Sequence, residues 1–156
     1  MQFGFSYIGL LYLCMLFVPN ILWARKLPIG YDASHENRCL RLLERIGQIG
    51  ASAVVLLFRD FNVLLPLNVW SMWFFLSLTF MLFYEICWIR YFCSAKTNHD
   101  FYKSFFSIPA PLATLPVAAF FCLALYGKNV LLLFFTILLG IGHIGIHVEH
   151  IKREKE

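Results

Sequence analysis

The stretch NVLLLFFTILLGIGHIGIHVEHIKREKE, residues 129–156, decides the fold. Its first part, 129–148, carries no Asp, Glu, Lys or Arg. At about 1.5 Å per residue, a helix of that length crosses the roughly 30 Å of a bilayer's hydrocarbon core. Its far end turns polar, with His143, His147 and His150 leading into a highly charged tail. A helix advances about 100° per residue, so positions separated by four and then three residues fall in one stripe. Three imidazoles therefore share a face just inside a membrane boundary, where a polar side chain is costly without a partner. Gly140, Gly142 and Gly145 thin the same turns, which suits a close neighbouring helix or a ligand.

The rest of the chain agrees with that reading. Of its 156 residues, 60% are hydrophobic, 18% aromatic and only 14% charged, and its mean hydropathy is +0.71. A water-soluble domain of this size could not hide so much apolar surface, so a single membrane domain solvated by the lipid bilayer is expected. The net charge of +4 is spread over segment ends rather than gathered in a patch, which speaks for membrane orientation and against nucleic acid. Five scattered cysteines, with no C-x-x-C pair, argue against a disulfide framework or a thiolate metal cage. The first apolar run has no basic leader and is followed by Arg25-Lys26, so it reads as an anchor rather than a cleaved signal.

Four further segments are predicted helical. The first, 3–22, is uncharged, with Pro19-Asn20 placed to bend it and expose a carbonyl or amide to the bundle. A polar connection follows, with Pro28 and Gly30 as breakers and His35 standing alone. The second segment, 38–58, begins as an amphipathic lead-in carrying Arg38, Arg41, Glu44 and Arg45. Its uncharged part, 46–58, covers only about 20 Å, so Arg45 and Arg59 must snorkel. Gly47 and Ala51 form a small-xxx-small pair, and this segment is expected to be the buried helix of the bundle. The third, 67–91, has Trp70 and Trp73 at one boundary and Trp88 and Tyr91 at the other, an aromatic belt. It contains Glu85, off the face of Arg90 and a candidate buried carboxylate. The fourth, 108–126, opens with Pro109 and Pro111 and is bent by Pro116. Its free first-turn amides would face the side holding Arg90 and Lys103, as an anion or lipid-headgroup site. The fifth is 129–148.

Orientation follows from charge. With the segments assigned to alternate sides, eleven Lys and Arg fall on one side and only Arg59 and Lys128 on the other. Such a bias places the N-terminus outside and the C-terminus in the cytoplasm, and it arises only if all five segments cross. The expectation is an all-α integral membrane protein, a multi-pass five-transmembrane-helix bundle of the cell membrane. His143, Glu44 and Glu85 then lie in its cytoplasmic half.

Two chemistries suit those groups. As ligands, His143 and His147 are an i, i+4 pair that His150 or Glu85 would complete for zinc or another divalent metal with an open position. The pattern H-x-x-x-H lacks the glutamate of H-E-x-x-H, so the general base of the zinc proteases is missing. As titrating groups, a histidine beside a carboxylate relays protons, and a five-span carrier without an internal repeat would work as a homodimer. The site expected from sequence thus places Glu85 as the catalytic carboxylate and His143, His147 and His150 on a metal. Glu44, Trp88, Arg90 and Lys103 would face a small amphipathic ligand. Metal or ligand binding, extending to membrane-embedded catalysis, is the first reading; a proton- or metal-coupled transporter and an accessory subunit of a membrane complex stand beside it. No nucleophile elbow, phosphate-binding glycine loop or nucleotide fingerprint occurs.

Overall fold

The computed structural model describes residues 1–28, 31 and 36–153. Gly30, His35 and the last three residues of the charged tail lie outside the described residues. The first residues do not join the first helix. Gly4 N donates to Leu57 O at 2.8 Å and Ser6 N to Leu56 O at 3.0 Å, and Ser6 then caps α1, Tyr7–Ala24, by accepting from Gly9 N. The helix expected from residue 3 starts at Tyr7 because the preceding amides are spent on the end of α2, Arg38–Leu57. Asn37 caps α2, which runs unbroken from the charged lead-in through the apolar half.

A short 3-10 turn, Arg59–Phe61, ends that hairpin, and another, Val69–Ser71, leads into α3, Met72–Phe92. The next connection holds a helix absent from the sequence reading, α4, Asn98–Tyr102. Thr97 and Asp100 cap it reciprocally, each side chain accepting from the other's backbone N–H. In α5, Pro111–Tyr126, the proline stands at the first position, and left-handed Ala110 (φ 45°) leaves Pro109 outside the helix. The last helix, α6, spans Val130–Arg153. It is begun by Asn129, 1% exposed, which accepts from Leu132 N and donates to Asp60 Oδ2 at 3.2 Å. It outruns the expected end at 148 because Lys152 and Arg153 suit the carbonyl end of a helix.

α2 packs on α6 most extensively, followed by α3 on α5 and α5 on α6, while α1 touches α2 and α3. The order α1, α2, α6, α5, α3 therefore closes on itself. α2 and α6 meet at backbone distance: a Cβ on Gly47 would strike the Leu139 backbone, and one on Gly142 the backbone of Leu40 and Glu44. The most buried helix is nevertheless α5, not α2 as expected. α2 buries only Gly47, Ala51, Val54 and Val55, since Arg38, Arg41 and Arg45 keep one face outward. α5 has no charged residue to hold it at the surface, and Leu115, Ala119 and Leu123 are at most 1% exposed. Tyr12, Ser77 and Ala119 join α1, α3 and α5 across the core: Ser77 Oγ donates to Ala119 O (2.6 Å), so the Tyr12 hydroxyl donates to Ser77 Oγ (3.0 Å).

Among the described residues, three helices are long and apolar enough to cross a membrane: Tyr7–Ala24, Val69–Phe92 and Val130–Arg153. Pro111–Tyr126 is apolar but shorter. This all-helical architecture is compatible with a membrane location. The aromatic residues expected at the two boundaries differ in exposure. Trp70 is 43% exposed, whereas Trp88 and Tyr91 are each 2% exposed. Both pack against Phe101, because α4 folds back over the end of α3.

Candidate functional site

The five long helices enclose a cavity of about 60 Å³ to which each contributes. Leu16, Pro116, Phe120 and Leu139 give it apolar walls, and Asn20, Glu44, Gln48, Tyr84 and His143 give it polar ones. Asn20 lies one residue beyond Pro19, inside α1. Its Nδ2 donates to Leu16 O at 2.6 Å and to the Tyr84 hydroxyl at 2.7 Å, so the proline turn presents an amide toward the bundle. Pro116 gives α5 a position without an N–H in the cavity wall.

Opposite stands the strongest polar contact of the site, His143 Nδ1 to Glu44 Oε1 at 2.5 Å. The two side chains are 25% and 24% exposed, so the pair is neither sealed nor freely solvated. A bond this short between imidazole and carboxylate is charge-assisted. It holds the ring's orientation and fixes Nδ1 as the nitrogen that donates, leaving Nε2 to accept a proton or meet a ligand.

The other two histidines continue along α6. His147 stands edge-on to His143, with ring centroids 4.6 Å apart, and stacks on Phe101 at 5.7 Å. Its Nδ1 is buried without a hydrogen-bond partner among the described residues. His150 Nε2 lies 3.1 Å from Glu36 Oε1, and its ring is sandwiched between Tyr31 and Tyr102 at interplanar angles of 14° and 17°. Burial, then the carboxylates of Glu36 and Glu44, push the Tyr31 phenol up to about 12, so that ring stays neutral.

The predicted metal set thus falls into two histidine–glutamate pairs and one stacked ring. Among the described residues no three His, Cys, Asp or Glu stand together as a group able to hold a metal. The expected meeting of Glu85 with the histidines does not occur. Glu85 is on α3, which packs on α5 and α1; it does not line the cavity, and its Oε1 is buried without a hydrogen-bond partner among the described residues. The expected ligand residues separate as well. Arg90 donates to the carbonyls of Lys103 (2.6 Å) and Ser104 (3.0 Å), fastening the connection before α5 rather than facing an anion. Trp88 is a core ring stacked on Phe92, and Lys103 is exposed. Of that group only Glu44 lines the cavity.

Sequence reasoning passed over Gln48 and Tyr84 in the cavity and Glu36 at the helix end. A usable signal was present. Glu36 and Glu44 are eight residues apart and His150 and His143 seven, each about two turns. Two antiparallel segments in contact, α6 and α2 with the residues just before its cap, would bring the pairs into register. Compared with known protein families, curated proteins and solved structures, the chain matches none.

Proposed function

We propose that this chain is a five-span membrane protein, N-terminus outside and C-terminus cytoplasmic, whose central cavity receives the polar head of a small amphipathic ligand. The Glu44–His143 pair is the group that exchanges a proton with the ligand's polar head. The observation that carries the reading is the 2.5 Å carboxylate–imidazole contact in the wall of a cavity formed by all five long helices. An imidazole held at Nδ1 by a carboxylate is the arrangement of a general base, with Nε2 as the working nitrogen. Asn20, Gln48 and Tyr84 are neutral hydrogen-bonding groups lining the same cavity, suited to orienting that head, and Leu16, Phe120 and Leu139 suit the carbons next to it. Five crossings are supported by the mutual packing of α2 and α5 with the longer apolar helices. They are also the only arrangement that gathers eleven of the Lys and Arg on one side.

The test is native mass spectrometry of the detergent-purified protein, wild type beside Glu44→Gln, His143→Ala and His147→Ala, with elemental analysis of the same samples. A small-molecule adduct that is kept by wild type and His147→Ala, and lost in the other two variants, is the expected outcome. Stoichiometric metal lost with His143 would replace the organic ligand with a metal. No adduct and no metal in folded wild type, with added Zn²⁺, would sink the reading.

A further inference from the structure

At the end of the bundle away from the histidines, a second cavity of about 260 Å³ opens beside the Arg59–Phe61 turn, the turn before α3 and the α5–α6 connection. Arg59 and Lys128, the two cations that the charge count sets apart from all others, both line it. Neither is loosely held. The stem of Arg59 lies against Gly4, and its Nε donates to Gln2 Oε1 at 2.9 Å. Its two terminal nitrogens have no hydrogen-bond partner among the described residues. Lys128 Nζ sits 5.0 Å from the centre of the Trp70 ring, and that indole is anchored by its Nε1 to the carbonyls of Leu125 and Tyr126.

One carboxylate, Asp60, shares the wall, but its side chain is 10% exposed and both oxygens are engaged. Oδ1 accepts from Gln2 N at 2.8 Å and Oδ2 from the buried Asn129 amide at 3.2 Å. Its charge is thus turned to the inner wall, and the open side of the pocket is cationic. Beside it the loop before α3 exposes Leu64 (65%), Leu65 (81%), Leu67 (52%) and Val69 (86%). In a chain with helices of spanning length, exposed leucines next to an Arg–Lys pocket offer acyl chains and a phosphate one continuous surface.

We propose that this pocket binds a phosphate group, that of a phospholipid headgroup, with the fork of Arg59 and the ammonium of Lys128 on its oxygens. The site is independent of the central cavity. Its test uses the full chain in neutral detergent with three probes: phosphatidylglycerol in mixed micelles, a diacylglycerol that lacks the phosphate, and inorganic phosphate. Thermal midpoint and lipid adducts in native mass spectrometry are the readouts. Phosphatidylglycerol should raise the midpoint and remain bound, and Arg59→Gln with Lys128→Asn should weaken it by about tenfold or more. Asn is chosen because Lys128 has φ 47°, a left-handed conformation that Asn tolerates. Both side chains are exposed, so the fold should survive; Lys128→Asn alone gives a second, milder reading. Arg25→Gln with Lys26→Gln, remote from the pocket, should leave the effect intact. Inorganic phosphate protecting as well as the lipid, and failing in the same double variant, would keep the chemistry and assign the site to a free anion. Equal protection of the double variant, or protection by diacylglycerol alone, would overturn the proposal.

Discussion

Adding one methyl group at Gly142 should separate the two most closely packed helices. A Cβ there would run into the carbonyl oxygen of Leu40 and the backbone of Glu44, atoms that move only if α2 moves. The same addition at Gly140 meets only Val117 Cγ1 at 3.1 Å, and at Gly145 its nearest contacts are the Leu40 side-chain methyls at 3.1 Å, both able to yield. The three positions are on one helix within two turns, so propensity is nearly constant across them. Alanine is favoured over glycine in a helix interior by about 1 kcal/mol, and overpacking costs about 1–3 kcal/mol. Gly140→Ala and Gly145→Ala should therefore be neutral or up to about 1 kcal/mol more stable, and Gly142→Ala less stable by up to about 2 kcal/mol, the overpacking cost less the propensity gain. Equilibrium unfolding in bicelles reads the difference directly. Gly142→Ala as stable as Gly140→Ala would refute the close approach of α2 and α6. The site should respond too: Gly142 precedes His143, and a helix displaced at Glu44 pulls the carboxylate from the imidazole, so ligand retention should fall in Gly142→Ala and persist in Gly140→Ala.

Two further outcomes follow from particular bonds. Tyr12→Phe removes one buried hydroxyl and should cost about 1 kcal/mol, whereas Ser77→Ala strands that hydroxyl in the core and should cost more, about 1–3 kcal/mol. In the Tyr12→Phe background the serine substitution should then cost little, and additive losses in the same unfolding assay would contradict the shared network. For α4, hydrogen bonds from the Thr97 backbone, then from its hydroxyl, hold Asp100 below its ordinary value. A depressed carboxylate stabilises above its unfolded pKa and ceases to as pH falls through the lower, folded value. Protection of the α4 amides, taken as the ratio of the intrinsic exchange rate at each pH to the observed one, should accordingly fall in acid but stay level between neutral and mildly alkaline pH, and Asp100→Asn should remove that acid dependence.

Much of the fold could be read in the chain because its signals are local. The length of the apolar runs, a proline in the first turn of the fourth segment and the small residues Gly47 and Ala51 each act within a turn or at one contact. What escaped reading depends on distant partners. α1 starts late because residues before Tyr7 bond to the end of α2, across fifty or more positions of sequence. Trp88 and Tyr91 resemble boundary aromatics until α4, a five-residue helix with little periodicity to announce it, lays Phe101 over them. Glu85 and Glu44 lie at comparable depths along their helices, and sequence alone does not say which of two helices is the neighbour of α6.

That choice of neighbour also explains why three aligned histidines form no common site. Glu36, just before the Asn37 cap, and Leu40 and Glu44 on α2 follow one another at four-residue spacing and all meet α6. Glutamate occupies the outer two and pairs with His150 and His143. The middle position is Leu40, whose side chain lies against Gly145 and whose carbonyl lies against Gly142. His147 therefore meets no carboxylate from α2 among the described residues and is packed by aromatic rings instead. The close approach that needs Gly142 is the same approach that sets Glu44 within reach of His143. The stripe is consequently divided by its own packing: one acid–imidazole pair opens on the central cavity, the other is capped by Tyr31 and Tyr102, and an apolar turn stands between them.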